Sequence, residues 1–204
     1  MDLQLPNFID LIHQFIYVQH HPGIDHIPDG LPPFHEKITL YASAVATFYA
    51  PSDISGIGGM RSEYIRAMSN WRKKRHRYDC VFVNSDPLAV RMRGLEVARI
   101  RQFFSFKFAG VTYPCALVQW YSRVAEEPDE DTGMWIVEPD FNPDGSRFMA
   151  VIHLDSIVRA AHLLGVCEEG ESVHTDLNCD NSLDSFHFFF VNKYADHHAF
   201  AIAS

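Results

Sequence analysis

His153-Leu154-Asp155, at the end of the apolar run Phe148 to Leu154, is the sharpest chemical pattern in the chain. A histidine and a carboxylate two residues apart at a strand end match two ligands of a two-histidine, one-carboxylate iron site on a β-barrel. The third ligand would come from His174, His187, His197 or His198. No Arg follows these histidines to clamp an acidic co-substrate, and His-x-Asp is short enough to arise by chance. The pairs His20-His21 and His197-His198 are weaker, because adjacent side chains point in different directions on a helix or a strand. Other catalytic signatures fail. Gly56, Gly58 and Gly59 lead into neither Gly-Lys-Ser/Thr nor the closing glycine of a dinucleotide fingerprint. Neither a Gly-x-Ser-x-Gly elbow nor His-Glu-x-x-His occurs.

A second pattern is electrostatic. Residues 1–60 carry a net −5, residues 61–107 a net +8 and the remainder −12, so one basic band lies inside an acidic chain of net −9. Within it, Arg61, Arg66 and the run Arg72-Lys73-Lys74-Arg75-His76-Arg77 surround Trp71. Clustered cations neutralise phosphates and an aromatic face stacks on bases, the two contributions to sequence-independent nucleic-acid binding. The competing reading is a solvated loop, or neutralisation by Glu126, Glu127, Asp129, Glu130 and Asp131. Short basic runs also resemble nuclear-import signals. The overall acidity argues against a dedicated DNA binder.

The elements that must position these groups are strands. Tyr78 to Val83, Val97 to Phe108, Val111 to Tyr121, Met134 to Val137 and Phe148 to Leu154 are strand-sized runs with no helix-length segment between them. They argue a mainly β (α+β) fold, a small antiparallel β-barrel or SH3- or BAH-like sheet with peripheral N- and C-terminal helices. Ala109-Gly110 joins two runs as a tight hairpin. In the first of these, Ile100, Phe104, Phe106 and Phe108 alternate with Arg99, Arg101, Ser105 and Lys107, which places the charges on one solvated face. The second is apolar on both faces and belongs deeper in the sheet. Pro114 should sit at a bulge or an unpaired side, and Asn142-Pro143-Asp144-Gly145 is a turn. Trp120 and Trp135 read as core or barrel wall.

The flanks extend this picture. Asn7 to His20 has helical apolar density with Asn7 as cap, and Pro22 to Pro33 is a wrap, so residues 1–36 form an N-terminal helix and Pro-rich segment ahead of a β-rich accessory domain, 37–204. Ile38 to Ala50 carries a strand, Ser55 to Met60 a flexible loop, and Arg61 to Asn70 a short helix at best. Asp155 to Leu164 suits a helical turn. Leu183 to His198 favours a strand through about Val191 and then a short helix. Cys80, Cys115, Cys167 and Cys179 are scattered without a Cys-x-x-Cys pair, as reduced packed thiols are. With no long apolar run and no secretory leader, the expectation is an intracellular protein, nuclear or cytoplasmic, with no membrane partner.

Taken in order, several segments carry a family likeness. They include Pro51-Ser-Asp-Ile-Ser-Gly-Ile-Gly-Gly-Met-Arg61, Met92-Arg-Gly-Leu-Glu-Val-Ala-Arg99, Asp131-Thr-Gly-Met-Trp135, Val151-Ile-His-Leu-Asp155 and Phe190-Val-Asn-Lys-Tyr-Ala-Asp-His-His198. The chain resembles the C-terminal region of fungal transposase-like proteins of the Plavaka group, related to CACTA-type DNA transposons. The resemblance implies that the acidic catalytic residues belong to a separate upstream nuclease domain, so none transfers to this chain. It further implies an accessory barrel engaging protein, chromatin, DNA or other transposase subunits. Where the family often has glycine or proline after Trp71-Arg72, this chain has Lys73-Lys74-Arg75-His76, which strengthens the basic patch. The favoured reading is thus a non-catalytic accessory module without a cofactor. Its nucleic-acid-binding candidates are Arg61, Arg66, Trp71, Arg72, Lys73, Lys74, Arg75 and Arg77. The alternative is a small non-heme iron or other metal-dependent enzyme using His153, Asp155 and His187.

Overall fold

The computed structural model describes residues 7–21, 23, 34–52, 57–71, 75–167 and 176–204. In chain order these form α1 (Phe8–His20), β1 (Ile38–Tyr41), β2 (Ser43–Tyr49), β3 (Met60–Trp71), β4 (Arg75–Tyr78), β5 (Cys80–Asn84), β6 (Leu95–Phe108) and β7 (Val111–Arg123). They continue with β8 (Trp135–Pro139), β9 (Met149–His153), β10 (Ile157–Ala161), β11 (Leu163–Gly165), β12 (Phe189–Val191) and α2 (His197–Ile202). The protein is mainly β, with a nearly closed, barrel-like antiparallel sheet and a helix towards each end of the sequence. The main sheet runs β10-β5-β6-β7-β8-β12-β11, with β1 added to β6 and β9 to β7; β2-β3-β4 form a second sheet.

The hairpin of β6 and β7 is the frame. Phe108 pairs with Val111 across Ala109 (φ 49°) and Gly110 (φ 82°), the two positive φ values that a two-residue turn of the primed type needs. A bulge between Ile100 and Gln102 shifts the register and exchanges the faces of β6. Before it, Ala98 and Ile100 point into the inner core between the two sheets; after it, Phe103 takes that side. Phe104 and Phe106 then face the opposite side, where Phe8, Ile12, Phe15 and Ile16 of α1 cover them together with Leu117 and Val151. A third core holds Phe82, Val97, Tyr121, Trp135 and Phe189. The hairpin is therefore buried on both faces, and β7 lies deep, flanked by β6, β8 and β9. Trp135 is core, and Trp120 packs against the inner core.

Several expectations are corrected. Arg61 to Asn70 is strand: β3 pairs with β2 over seven residues, from Ser43↔Arg66 to Tyr49↔Met60, and with β4 at Ala67↔Tyr78 and Met68↔Arg77, and these ladders override the helix preference of Glu63, Arg66, Ala67 and Met68. Ile38 to Ala50 is two strands in different sheets, divided at Ala42. After a 3-10 turn at Leu154–Ser156, the segment to Leu164 is extended and forms β10 and part of β11. Asn7 stands at the N-cap of α1 in the left-handed region (φ 64°) without a side-chain cap bond; its carbonyl accepts from the Leu11 amide. Arg99 is buried, not solvated. Pro114 lies one residue outside the stretch of β7 that β9 covers. The turn at Asn142 closes by Gly145 and Ser146 contacts, as expected. Residues 22 and 24–33 of the proline-rich wrap and residues 53–56 lie outside the described residues.

Candidate functional site

The predicted basic residues sort onto two faces of β3 and β4. Ile65 and Ala67 are buried inward, so Ser62, Tyr64 and Arg66 point outward, opposite Thr47, Val45 and Ser43. Arg77 is in register with Met68 on that same outer face. Tyr49 and Tyr64 are 63% and 61% exposed there, which is what a stacking surface requires. The Arg66 guanidinium lies 5.5 Å over the Tyr64 ring. Asp79 fixes the edge, accepting from the Arg66 amide at 2.9 Å and from Arg77 Nε at 2.9 Å. Arg61 points to the inner face, where its charge reaches Asp196. Trp71 is in register with Arg75; the Trp71 side chain and Arg72, Lys73 and Lys74 lie outside the described residues. Arg75 Nη1 donates to Cys179 Sγ at 3.1 Å.

A groove of about 840 Å³ opens beside this sheet, lined among others by Arg75, Arg77, Tyr78, Cys80, Arg99 and Arg159. Arg159, 5% exposed, is neutralised there. It donates to both Asp196 oxygens at 2.8 and 2.7 Å and to Glu63 Oε2 at 3.3 Å. Asp196 also caps α2 through the Ala199 amide. Hydrogen bonds from Arg159 hold the Asp196 carboxyl far below the usual carboxylate range, against its partial burial. His198 stacks on Phe48 at 4.5 Å, and burial followed by the Arg159 charge lowers its pKa below the ordinary histidine value.

Beside the groove, Arg99 Nη1 donates to Asp184 Oδ1 at 2.7 Å, and Arg147 Nη1 lies 4.0 Å from the same oxygen. Burial pushes the neighbouring Cys80 thiol up to about 12, so it is not a nucleophile at neutral pH. Of the acids expected to neutralise the basic band, Glu127 holds Arg93 at 2.6 Å, whereas Asp129 accepts from Thr132. Among the described residues of the band, Asp79 instead holds Arg77, Asp184 holds Arg99, and the Arg61 charge acts on Asp196.

His153 and Asp155 do meet, with Nδ1 3.5 Å from Oδ2, and the Asp155 amide donates to the same Nδ1 at 3.3 Å. That bond occupies Nδ1 and leaves Nε2 as the ring atom open to a metal. His187 does not join them; among the described residues no group of three or more His, Cys, Asp or Glu is placed to hold a metal ion. His174 lies outside the described residues. Sequence reasoning missed Tyr49, Tyr64, the buried Arg99 and Arg159 and the half-buried Arg147. The period-two run Ser62, Tyr64, Arg66 was the available signal for the first pair.

Fold and faces together define a mainly β, barrel-like protein with an exposed aromatic and basic sheet face and a charged groove. No family model, curated protein or solved structure matches the chain. Among the described residues no helix is long and apolar enough to cross a membrane.

Proposed function

We propose that this chain is a non-catalytic accessory binding module of a transposon-derived protein, and that the outer face of β2-β3-β4 engages nucleic acid. The observation that carries the reading is the sharing of one solvent face by Tyr49, Tyr64, Arg66 and Arg77. Flat exposed rings offer stacking to any base, and guanidiniums beside them meet the phosphates between bases. Single strands suit such a surface better than duplex, whose bases are already stacked. The resemblance to Plavaka-type transposase C-terminal regions supports a chromatin or transposon-DNA setting inside the cell, nuclear or cytoplasmic, with other transposase subunits as further partners.

The test is binding to single-stranded and duplex oligonucleotides across a salt series. Base stacking on an aromatic contributes about 1–3 kcal/mol, so Tyr64→Ala should weaken single-strand binding by roughly 5- to 150-fold. Arg66→Ala should flatten the dependence of log K on log salt by about 0.7 if it meets one phosphate. Absent or salt-independent binding would discard the nucleic-acid reading and leave a protein partner for this face.

A further inference from the structure

We propose that the buried Arg99 and the half-buried Arg101 and Arg147, between the second and third cores, form a binding site for a phosphate group, held closed in this conformation by the Asp184 carboxylate. Along β6, Val97 belongs to the third core and Phe104 to the second, yet Arg99 and Arg101 stand between them. Along β7 the matching position is Gln119, between Tyr121 and Leu117 and in register with Arg99. Arg147 reaches the same place from the turn after β8, its guanidinium 4.9 Å over the Tyr121 ring. Arg101 and Arg99 lie 4.3 and 5.7 Å from the ring centre of Tyr78. A polar band thus interrupts an otherwise apolar sheet face.

Its charges do not balance. Among the described residues Arg99 and Arg147 share one carboxylate, that of Asp184, and Arg101 feels the same charge from farther off. Asp79, at the start of β5, is held by Arg77, and Glu63 and Asp196 are held by Arg159. Arg101 is driven below its ordinary pKa by burial and then by the charge of Arg99. Hydrogen bonding is equally incomplete. Among the described residues Arg99 Nε, Arg147 Nε and Gln119 Oε1 are buried without a partner, while Arg99 and Gln119 are 4% and 8% exposed. Buried cations left short of counter-charge and buried donors left unbonded are both costly, and one tetrahedral oxyanion relieves both. Guanidinium forks match phosphate oxygens, and hydrogen phosphate keeps one O–H to donate to Gln119 Oε1. Arg99 opens this band to the groove. The Asp184 side chain is 53% exposed, so movement of its short 3-10 turn, Ser182–Asp184, would let a phosphate replace the carboxylate.

Inorganic phosphate, titrated into the full chain against sodium chloride of equal ionic strength, is the probe, with binding heat and melting temperature as readouts. The expected result is saturable phosphate stabilisation that chloride does not reproduce, because a ligand of the native state raises stability by mass action. Asp184→Asn removes the internal competitor. It should melt lower than the parent in phosphate-free buffer, recover on adding phosphate, and bind phosphate about tenfold more tightly. Arg147→Gln should abolish the phosphate effect. Unchanged or weaker phosphate binding in Asp184→Asn overturns the proposal, even if Arg147→Gln fails to fold. Competition by a 5′-phosphorylated oligonucleotide but not its hydroxyl-ended counterpart assigns the phosphate to a nucleic-acid end; competition by neither assigns it to a small phosphate compound. Tyr49→Ala, on the sheet face but outside the groove lining, leaves the phosphate response intact, so failure of this site and failure of the sheet-face reading are distinguishable.

Discussion

Arg159 shows how one buried cation sets the acid response of the protein. Its guanidinium draws Asp196 and Glu63 onto one point, and Asp196 simultaneously caps α2. Removing the charge of Asp196 leaves Arg159 with Glu63 alone, so Asp196→Asn should cost about 2–3 kcal/mol, read from the urea midpoint at pH 7. The pH dependence has a definite sign. Asp196 has a depressed folded-state pKa, so its stabilisation is complete above the unfolded value of about 3.9 and is lost as pH falls further. His198 is depressed as well: neutral in both states above about pH 6.5, it penalises the folded state as pH drops through that value. Arg159 and Asp196 act on His198 in opposite senses, and burial decides the outcome. His198→Phe keeps a ring on Phe48 but removes the proton site. The parent's urea midpoint should fall between pH 7 and pH 5, whereas that of His198→Phe should stay nearly flat; an equal fall in both would assign the loss to another group.

Among the elements, the β6-β7 hairpin was legible because its signals are local: paired Val, Ile and Phe runs meeting at Ala109-Gly110. The turn also carries a cost. Ala109 holds φ 49° with a Cβ that the left-handed region disfavours, and Gly110 at φ 82° has open space where a Cβ would go. Ala109→Gly should therefore stabilise the protein by about 0.5–1 kcal/mol, after the extra entropy glycine loses on folding, as a rise in urea midpoint without a change in slope. A lower midpoint would mean that the alanine methyl makes a contact worth more than the strain. Strand β3 was illegible for the opposite reason. Glu63, Arg66, Ala67 and Met68 favour helix locally, and their strand partners lie some twenty residues earlier in β2 for the first two and about ten later in β4 for the others. The buried arginine band was hidden by the same kind of distance. Arg99 alternates with Ile100 as a solvent-facing residue would, and it is the chain near Asp184, 85 residues later, that covers it.

At the scale of the whole molecule, the three cores are joined through one hairpin, and this makes a prediction about cooperativity. Helix α1 buries Phe8, Ile12, Phe15 and Ile16 against Phe104, Phe106 and Leu117, while the same two strands contribute Ile100 and Val118 to the inner core and Val97 and Tyr121 to the third. Loosening α1 exposes one face of strands whose other face holds the rest of the fold together. Ile12 is fully buried, so Ile12→Ala should cost about 2–5 kcal/mol through lost burial and the cavity left behind. If the cores unfold as one unit, the urea midpoint by tryptophan fluorescence, which reports Trp71, Trp120 and Trp135 on β3, β7 and β8, should drop together with the midpoint by far-ultraviolet circular dichroism. If α1 instead detaches alone, helical signal would disappear first and the fluorescence transition would stay at the parent midpoint. Coincidence is expected, because β6 cannot lose its α1-facing side without disturbing the bulge at Arg101 that sets the register of everything beyond it.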